Sequence, residues 1–135
     1  MRDKNKRAEN TSVEPELQYC FVWKTKCSYK VLIGETGLRL RDLIKETCDV
    51  YGMSIIEGNI RPNYVRIVIK APSHLLPPKI AQYLKGRSAN MLMKEFSNLK
   101  KQYSGGHLWA RGYFCDRAEL VKEEAIRKYI EYPLR

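Results

Sequence analysis

Histidine is scarce in this chain: His74 and His107 are the only two in 135 residues. The four cysteines, Cys20, Cys27, Cys48 and Cys115, form no CxxC pair and no zinc-ligand spacing. A histidine-rich metal centre and a structural zinc site are therefore not expected, and the cysteines read as reduced thiols. No apolar run approaches the length of a membrane span, and residues 1–16 lack the apolar core of a signal peptide. The expectation is a cytoplasmic protein with no membrane partner. Acidic residues are also in deficit, 15 against 25 Lys and Arg, for a formal charge of +10.

That charge is unevenly placed. In residues 1–16, Arg2, Lys4, Lys6 and Arg7 are matched by Asp3, Glu9, Glu14 and Glu16, so the whole excess lies beyond them. A basic globular surface attracts polyanions, of which nucleic acid is the most abundant in a cytoplasm. A solvated basic face without a partner accounts for the charge equally well.

Residues 1–16 offer almost no apolar surface and read as a flexible arm, leaving 17–135 as one domain. Tyr19–Trp23 is aromatic and β-branched, the pattern of a strand, and Val31-Leu32-Ile33 is a candidate extension or partner of it. Leu40, Leu43, Ile44, Thr47, Cys48 and Tyr51 recur at helical steps, with Gly37 before them and Gly52 where a left-handed cap is favoured. Met53–Ile60 and Tyr64–Ala71 read as strands joined through Arg61-Pro62-Asn63. Pro77-Pro78 opens a helix burying Ile80, Tyr83 and Leu84; Gly86 is read as its end and Ser88 as the N-cap of a second helix carrying Met91, Leu92 and Phe96. A strand over His107–Cys115 and a helix over Leu120–Glu131 complete the chain, with Pro133 barring continuation. The order β, α, β, β, α(α), β, α predicts an α+β, ferredoxin-like fold, an antiparallel sheet with helices packed on it.

Basic residues cluster with features that suit nucleic acid. Lys85, Arg87, Lys94, Lys100 and Lys101 face only Glu95 in their stretch. Gly86 would allow close backbone approach, and a helix starting after Ser88 would offer free N–H groups to a phosphate. Lys24, Lys26 and Lys30 interleave with Trp23 and Tyr29, which offer stacking faces for unpaired bases. Taken singly, each is a solvated charge; as a set they favour nucleic acid.

Several stretches together resemble one family. Val22-Trp23-Lys24-Thr25-Lys26 with Tyr29-Lys30-Val31-Leu32 is similar to the opening strand of the IS-two-hundred-like transposases, the single-tyrosine members of the HUH nuclease superfamily. Leu75–Phe96, with Gln82-Tyr83-Leu84-Lys85-Gly86-Arg87-Ser88, resembles their central helical region. His107–Phe114, which includes Arg111, resembles their last strand, and Glu123–Glu131 their terminal catalytic helix.

The resemblance implies a homodimer that binds hairpins in single-stranded DNA. It implies cleavage by a helix tyrosine, here Tyr129, with a divalent metal on the scissile phosphate. The ligands it implies are two histidines at i, i+2 on a strand, whose alternate residues share a face, and a glutamine one turn after the tyrosine. The chain departs at all three positions, carrying Tyr64, Arg66 and Pro133. A neutral tyrosine is a poor magnesium ligand, arginine is never one, and proline has no side-chain donor. No cofactor is therefore expected. At Arg66 a guanidinium could hold a phosphate through two parallel hydrogen bonds; equally, its stem could lie along the strand beside Val68 with its head in water.

The DNA-binding candidates are thus Lys24, Lys26, Lys30, Arg66, Lys85, Arg87, Lys100, Lys101 and Arg111, with Tyr129 at the nucleophile position. The first reading is a transposase-family protein that binds single-stranded DNA hairpins and is deficient in metal-dependent cleavage. A second is an active transposase using Tyr129 with magnesium or manganese in an unorthodox site of DNA oxygens and Glu131. A third keeps the fold but binds RNA hairpins or a protein.

Overall fold

The computed structural model describes residues 15–132. All but the last two residues of the expected arm, together with Pro133, lie outside them. Among the described residues no helix is long and apolar enough to cross a membrane.

Four strands form one antiparallel sheet in the order β2-β3-β1-β4. Strand β1 (Glu16–Lys24) is central. It pairs along its whole length with β3 (Tyr64–Pro72), from Glu16 opposite Pro72 to Lys24 opposite Tyr64. Its other edge takes the short β4 (Phe114–Arg117). Strand β2 (Ser54–Arg61) is the outer neighbour of β3, with a bulge between Ile55 and Glu57. Helix α1 (Gly34–Val50) connects β1 to β2, and α2 (Pro77–Glu95) with the short α3 (Ser97–Gln102) leads from β3 to β4. This is the ferredoxin-like arrangement expected from the element order.

Alternation along the central strands divides the sheet into two faces. Tyr19, Phe21 and Trp23 of β1 and Val65, Ile67, Ile69 and Ala71 of β3 pack with Leu40, Leu43 and Ile44 of α1 and Ile80, Leu84 and Leu92 of α2. The opposite face holds Cys20 and Val22, covered by Ile126 of the terminal helix α4 (Glu123–Glu131). Tyr64, Val68, Phe114, Val121, Tyr129 and Ile130 surround that smaller cluster.

Several boundaries differ from the sequence reading. Helix α1 begins at Gly34, so Gly37 lies in its first turn; a Cβ there would stand 3.1 Å from the Leu32 carbonyl oxygen, and only glycine fits without a shift. Gly52 does take the left-handed conformation, φ 72°. Val31–Ile33 forms no strand. Leu32 is buried and its N–H donates to the Pro62 carbonyl at 2.9 Å, fixing this loop against the β2–β3 turn.

Helix α2 does not stop at Gly86. It is continuous, and Ser88 is a buried interior residue whose hydroxyl donates to the Leu84 carbonyl at 2.6 Å. Glycine weakens a helix interior by only about 1 kcal/mol, which packing of Leu84 and Leu92 on either side overrides. The expected strand over His107–Cys115 is reduced to Phe114–Arg117, after a single bridge between Thr25 and Trp109. Gly112, at φ 76°, turns the chain between the two. Helix α4 likewise starts later than Leu120, because Ala118–Leu120 forms a separate 3-10 turn.

Candidate nucleic-acid interface and the terminal-helix face

The face beneath α4 carries the residues that the family resemblance singled out. Tyr64 and Arg66 alternate with the core residues Val65 and Ile67, which places both under α4. Arg66 meets Glu123, the first residue of that helix, through two parallel hydrogen bonds: Nη1 to Oε1 at 2.8 Å and Nη2 to Oε2 at 2.5 Å. The pairing holds the Glu123 carboxyl below its usual range and the guanidinium above its own. Burial pushes up the neighbouring Cys20 thiol, against the opposing influence of Arg66.

Tyr129 lies two turns further along α4, its ring packed against Phe114 at 6.1 Å between centroids. Its hydroxyl is buried with no hydrogen-bond partner among the described residues, and burial pushes its pKa up to about 12. A tyrosine nucleophile needs the opposite shift, toward the phenolate.

Lys24 departs from the expectation of a surface contact. It ends β1 on the same face as Cys20 and Val22 and is 1% exposed. Its ammonium donates to the carbonyls of Tyr129 at 3.1 Å and Ile130 at 3.3 Å, and to that of Tyr132. The three protons of a lysine thus meet three backbone acceptors at the end of a helix, where carbonyls otherwise lack partners and the dipole favours a cation. The ammonium also stands 5.1 Å from the centroid of the Tyr129 ring. Burial lowers its pKa.

Trp23 offers no stacking face either, since it is fully buried and meets Trp109 edge-on at 5.9 Å. Lys85 turns inward to donate to the carbonyls of Ala110 at 3.1 Å and Gly112 at 2.7 Å, which positions the Arg111 loop. Arg87 is exposed but paired with Glu46 at 2.9 Å, in a network continuing through Arg39 to Glu95. The helix start expected after Ser88 does not exist, so no free N–H groups await a phosphate there.

What remains of the basic set gathers at one end of the sheet. The loop carrying Lys26, Tyr29 and Lys30 is bonded to Leu108 through the Lys26 N–H at 2.8 Å. The Tyr103 hydroxyl donates to the Lys26 carbonyl at 3.2 Å, and the Tyr29 and Tyr103 rings lie 5.6 Å apart. Tyr103 follows α3, which carries the exposed Lys100 and Lys101. Tyr103 thus links the loop of Lys26, the exposed Tyr29 and Lys30 to the end of α3, and Lys30, Lys100 and Lys101 are exposed while Lys26 is half-exposed. Arg111 is exposed on the loop that Lys85 supports.

Residues 14–133 match the family model described as "Transposase IS200 like". The chain belongs to the IS200-like transposase family. It is 28% identical to the ISDra2 transposase TnpA of Deinococcus radiodurans, over 86% of this chain and 83% of that one. It is 26% identical to the transposase of insertion sequence element IS200 from Salmonella typhimurium, over 87% and 76%. Among solved structures, a crystal structure assigned as a Deinococcus radiodurans transposase superposes with a TM-score of 0.79 at 27% identity, covering 97% of this chain and 96% of that one. A REP-associated tyrosine transposase bound to a REP hairpin shares the fold, with a TM-score of 0.59 at 11% identity and coverage of 98% and 70%.

The divalent metal that this family membership implies does not fit the residues present. Arg66 is a cation locked to Glu123, Tyr64 is a phenol, and Pro133 lies outside the described residues. Among the described residues no three His, Cys, Asp or Glu side chains come together as a metal cage. His74 and His107 are both exposed in loops, and neither is a residue of β3.

The sequence reading missed Glu123 as the partner of Arg66 and Lys24 as the cap of α4. Strand parity held a signal for the lysine, since position 24 follows Cys20 and Val22 onto one face. No pattern in the sequence pairs residues 66 and 123, which the fold alone brings together.

Proposed function

We propose that this transposase-family chain recognises hairpins in single-stranded DNA, acts as a homodimer in the cytoplasm, and is deficient in metal-dependent strand cleavage without a resident metal cofactor. The observation that carries the deficiency is the Arg66–Glu123 pair, which puts a charge-neutralised arginine where a metal ligand would stand. The partnerless Tyr129 hydroxyl points the same way, because a neutral buried phenol is a weak nucleophile. Loss of a Lewis acid removes several kcal/mol of transition-state stabilisation, and each 1.4 kcal/mol is about tenfold in rate. DNA binding is supported by the solvent-exposed Lys30, Lys100, Lys101 and Arg111 with the half-exposed Lys26, by the exposed Tyr29 that packs on Tyr103 after α3, and by the hairpin bound to the fold neighbour.

The test uses a DNA hairpin with a single-stranded flank. Binding should weaken steeply with added salt, as expected where lysines replace counterions on phosphates. No covalent adduct on Tyr129 should form with magnesium or manganese present, and manganese calorimetry should give no saturable site. A Tyr129-linked adduct would overturn the deficiency; preference for an RNA hairpin, or affinity indifferent to salt, would overturn the DNA assignment.

A further inference from the structure

Helix α4 is fastened to the sheet at both ends by cations, and the two fastenings differ in kind. At its last turn Lys24 is buried, with its three protons on three carbonyls. At its first residue the Glu123 side chain is 73% exposed and that of Arg66 33%. The first joint is closed to solvent, and the second is open to exchange with any anion that reaches it.

The anion that fits is already outlined. Glu123 presents two oxygens to one edge of the guanidinium in a parallel, bidentate pair. The two non-bridging oxygens of a phosphodiester take the same edge in the same way. We propose that Glu123 is an internal stand-in for a DNA backbone phosphate, and that α4 is a cover latched at Glu123 and hinged at Lys24. The inference rests on the single-stranded DNA binding proposed above. A phosphate that takes Arg66 releases Glu123, and the first turn of α4 lifts while its C-terminus stays held. Carboxylate and phosphate compete for one guanidinium, so the contact is autoinhibitory: the protein's own helix occupies the site its ligand would use.

Charge alone must be separated from the latch. Glu124 serves as the control, because it sits in the same turn, pairs with Lys128 at 3.8 Å and does not touch Arg66. Glu123→Gln and Glu124→Gln each remove one negative charge and preserve side-chain size. The experiment measures affinity at low salt for a DNA hairpin with an oligothymidylate flank. Glu123→Gln should bind about two- to fivefold tighter than Glu124→Gln, the range an exposed ion pair supplies. In an Arg66→Gln background the two substitutions should become equal. Hydrogen exchange on the wild-type complex should show faster exchange in α4 than in the free protein. Equal affinities for the two single variants, with wild type binding the probe, overturn the latch and leave the DNA reading standing. Slower exchange throughout α4 on binding also overturns it. Failure of wild type and of Glu123→Gln to bind the probe removes the DNA reading and the latch together.

Discussion

On one face of the sheet, Tyr19, Phe21 and Trp23 interlock with Leu40, Leu43, Ile80, Leu84 and Leu92 beneath two long helices. On the other, Cys20, Val22 and Ile126 form a three-residue buried core under a helix of nine, ringed by the partly buried Tyr64, Val68, Phe114, Val121, Tyr129 and Ile130 and tied to the helix by Lys24 and Arg66. Apolar burial is non-directional and scales with area, so the first face supplies most of the stability. The second face is positioned by directional bonds whose partners lie more than fifty residues apart in sequence. Stability and candidate function are therefore divided across one sheet, and the thinner face is the one able to open.

Substitutions on the two faces should separate these roles. Phe21→Ala deletes a fully buried ring from the thick face and should cost about 3–5 kcal/mol, read as a lower midpoint in urea unfolding. Lys24→Met should cost less, about 1–3 kcal/mol, because it removes one buried hydrogen-bonding partner and keeps the apolar stem. Its effect should be local, with amide exchange accelerating in α4 while β1 and α1 stay protected. Equal acceleration on both faces would refute the division.

Acid should distinguish the faces more gently. The Glu123 carboxyl is held below its ordinary range of about 4.5 by Arg66. A depressed carboxyl contributes stability that is present above its unfolded value and lost as pH falls through the folded one. Titrating downward from pH 5 should loosen the first turn of α4 before global unfolding. Arg66 on β3 and Cys20 on β1 lie at this contact, with Glu57 of β2 beside them, and neither Arg66 nor Cys20 changes charge in that window. Glu95, held down by Arg39 on the outer side of the helices, should titrate in parallel without moving α4. A first turn of α4 that stays protected to the point of unfolding would show that apolar contacts alone hold it.

How much of this was legible in the sequence follows the same division. The aromatic and β-branched run Tyr19–Trp23 and the turn-forming Arg61-Pro62-Asn63 before Tyr64–Ala71 located the central strands, and the Leu40–Tyr51 stripe located α1, because burial imposes its helical period. Local punctuation was less dependable. Gly86 looked like a stop, yet tertiary packing carries α2 through it; Trp109 looked like strand, yet Gly112 and the inward Lys85 turn the chain away. Among the basic residues, charge could be counted but its direction could not. Lys24 and Lys85 are consumed by backbone carbonyls, and Arg87 by Glu46. Lys30, Lys100 and Lys101 keep the solvent exposure that DNA binding requires.

Gly86 offers the finest of these tests. It is exposed in the interior of α2, and a Cβ added there meets nothing within 4 Å. Glycine costs a helix interior about 0.5–1 kcal/mol relative to alanine, so Gly86→Ala should raise stability by that amount. If a helix instead ended at Gly86 in a left-handed cap, alanine would be strained there and stability would fall. The same variant probes the interface. Were the Gly86 backbone to meet a phosphate closely, the added methyl would weaken hairpin binding; with DNA held at Lys30, Lys100 and Lys101 instead, affinity should not change. A more stable protein of unaltered affinity would place α2 wholly in the supporting framework, behind the thick face of the sheet.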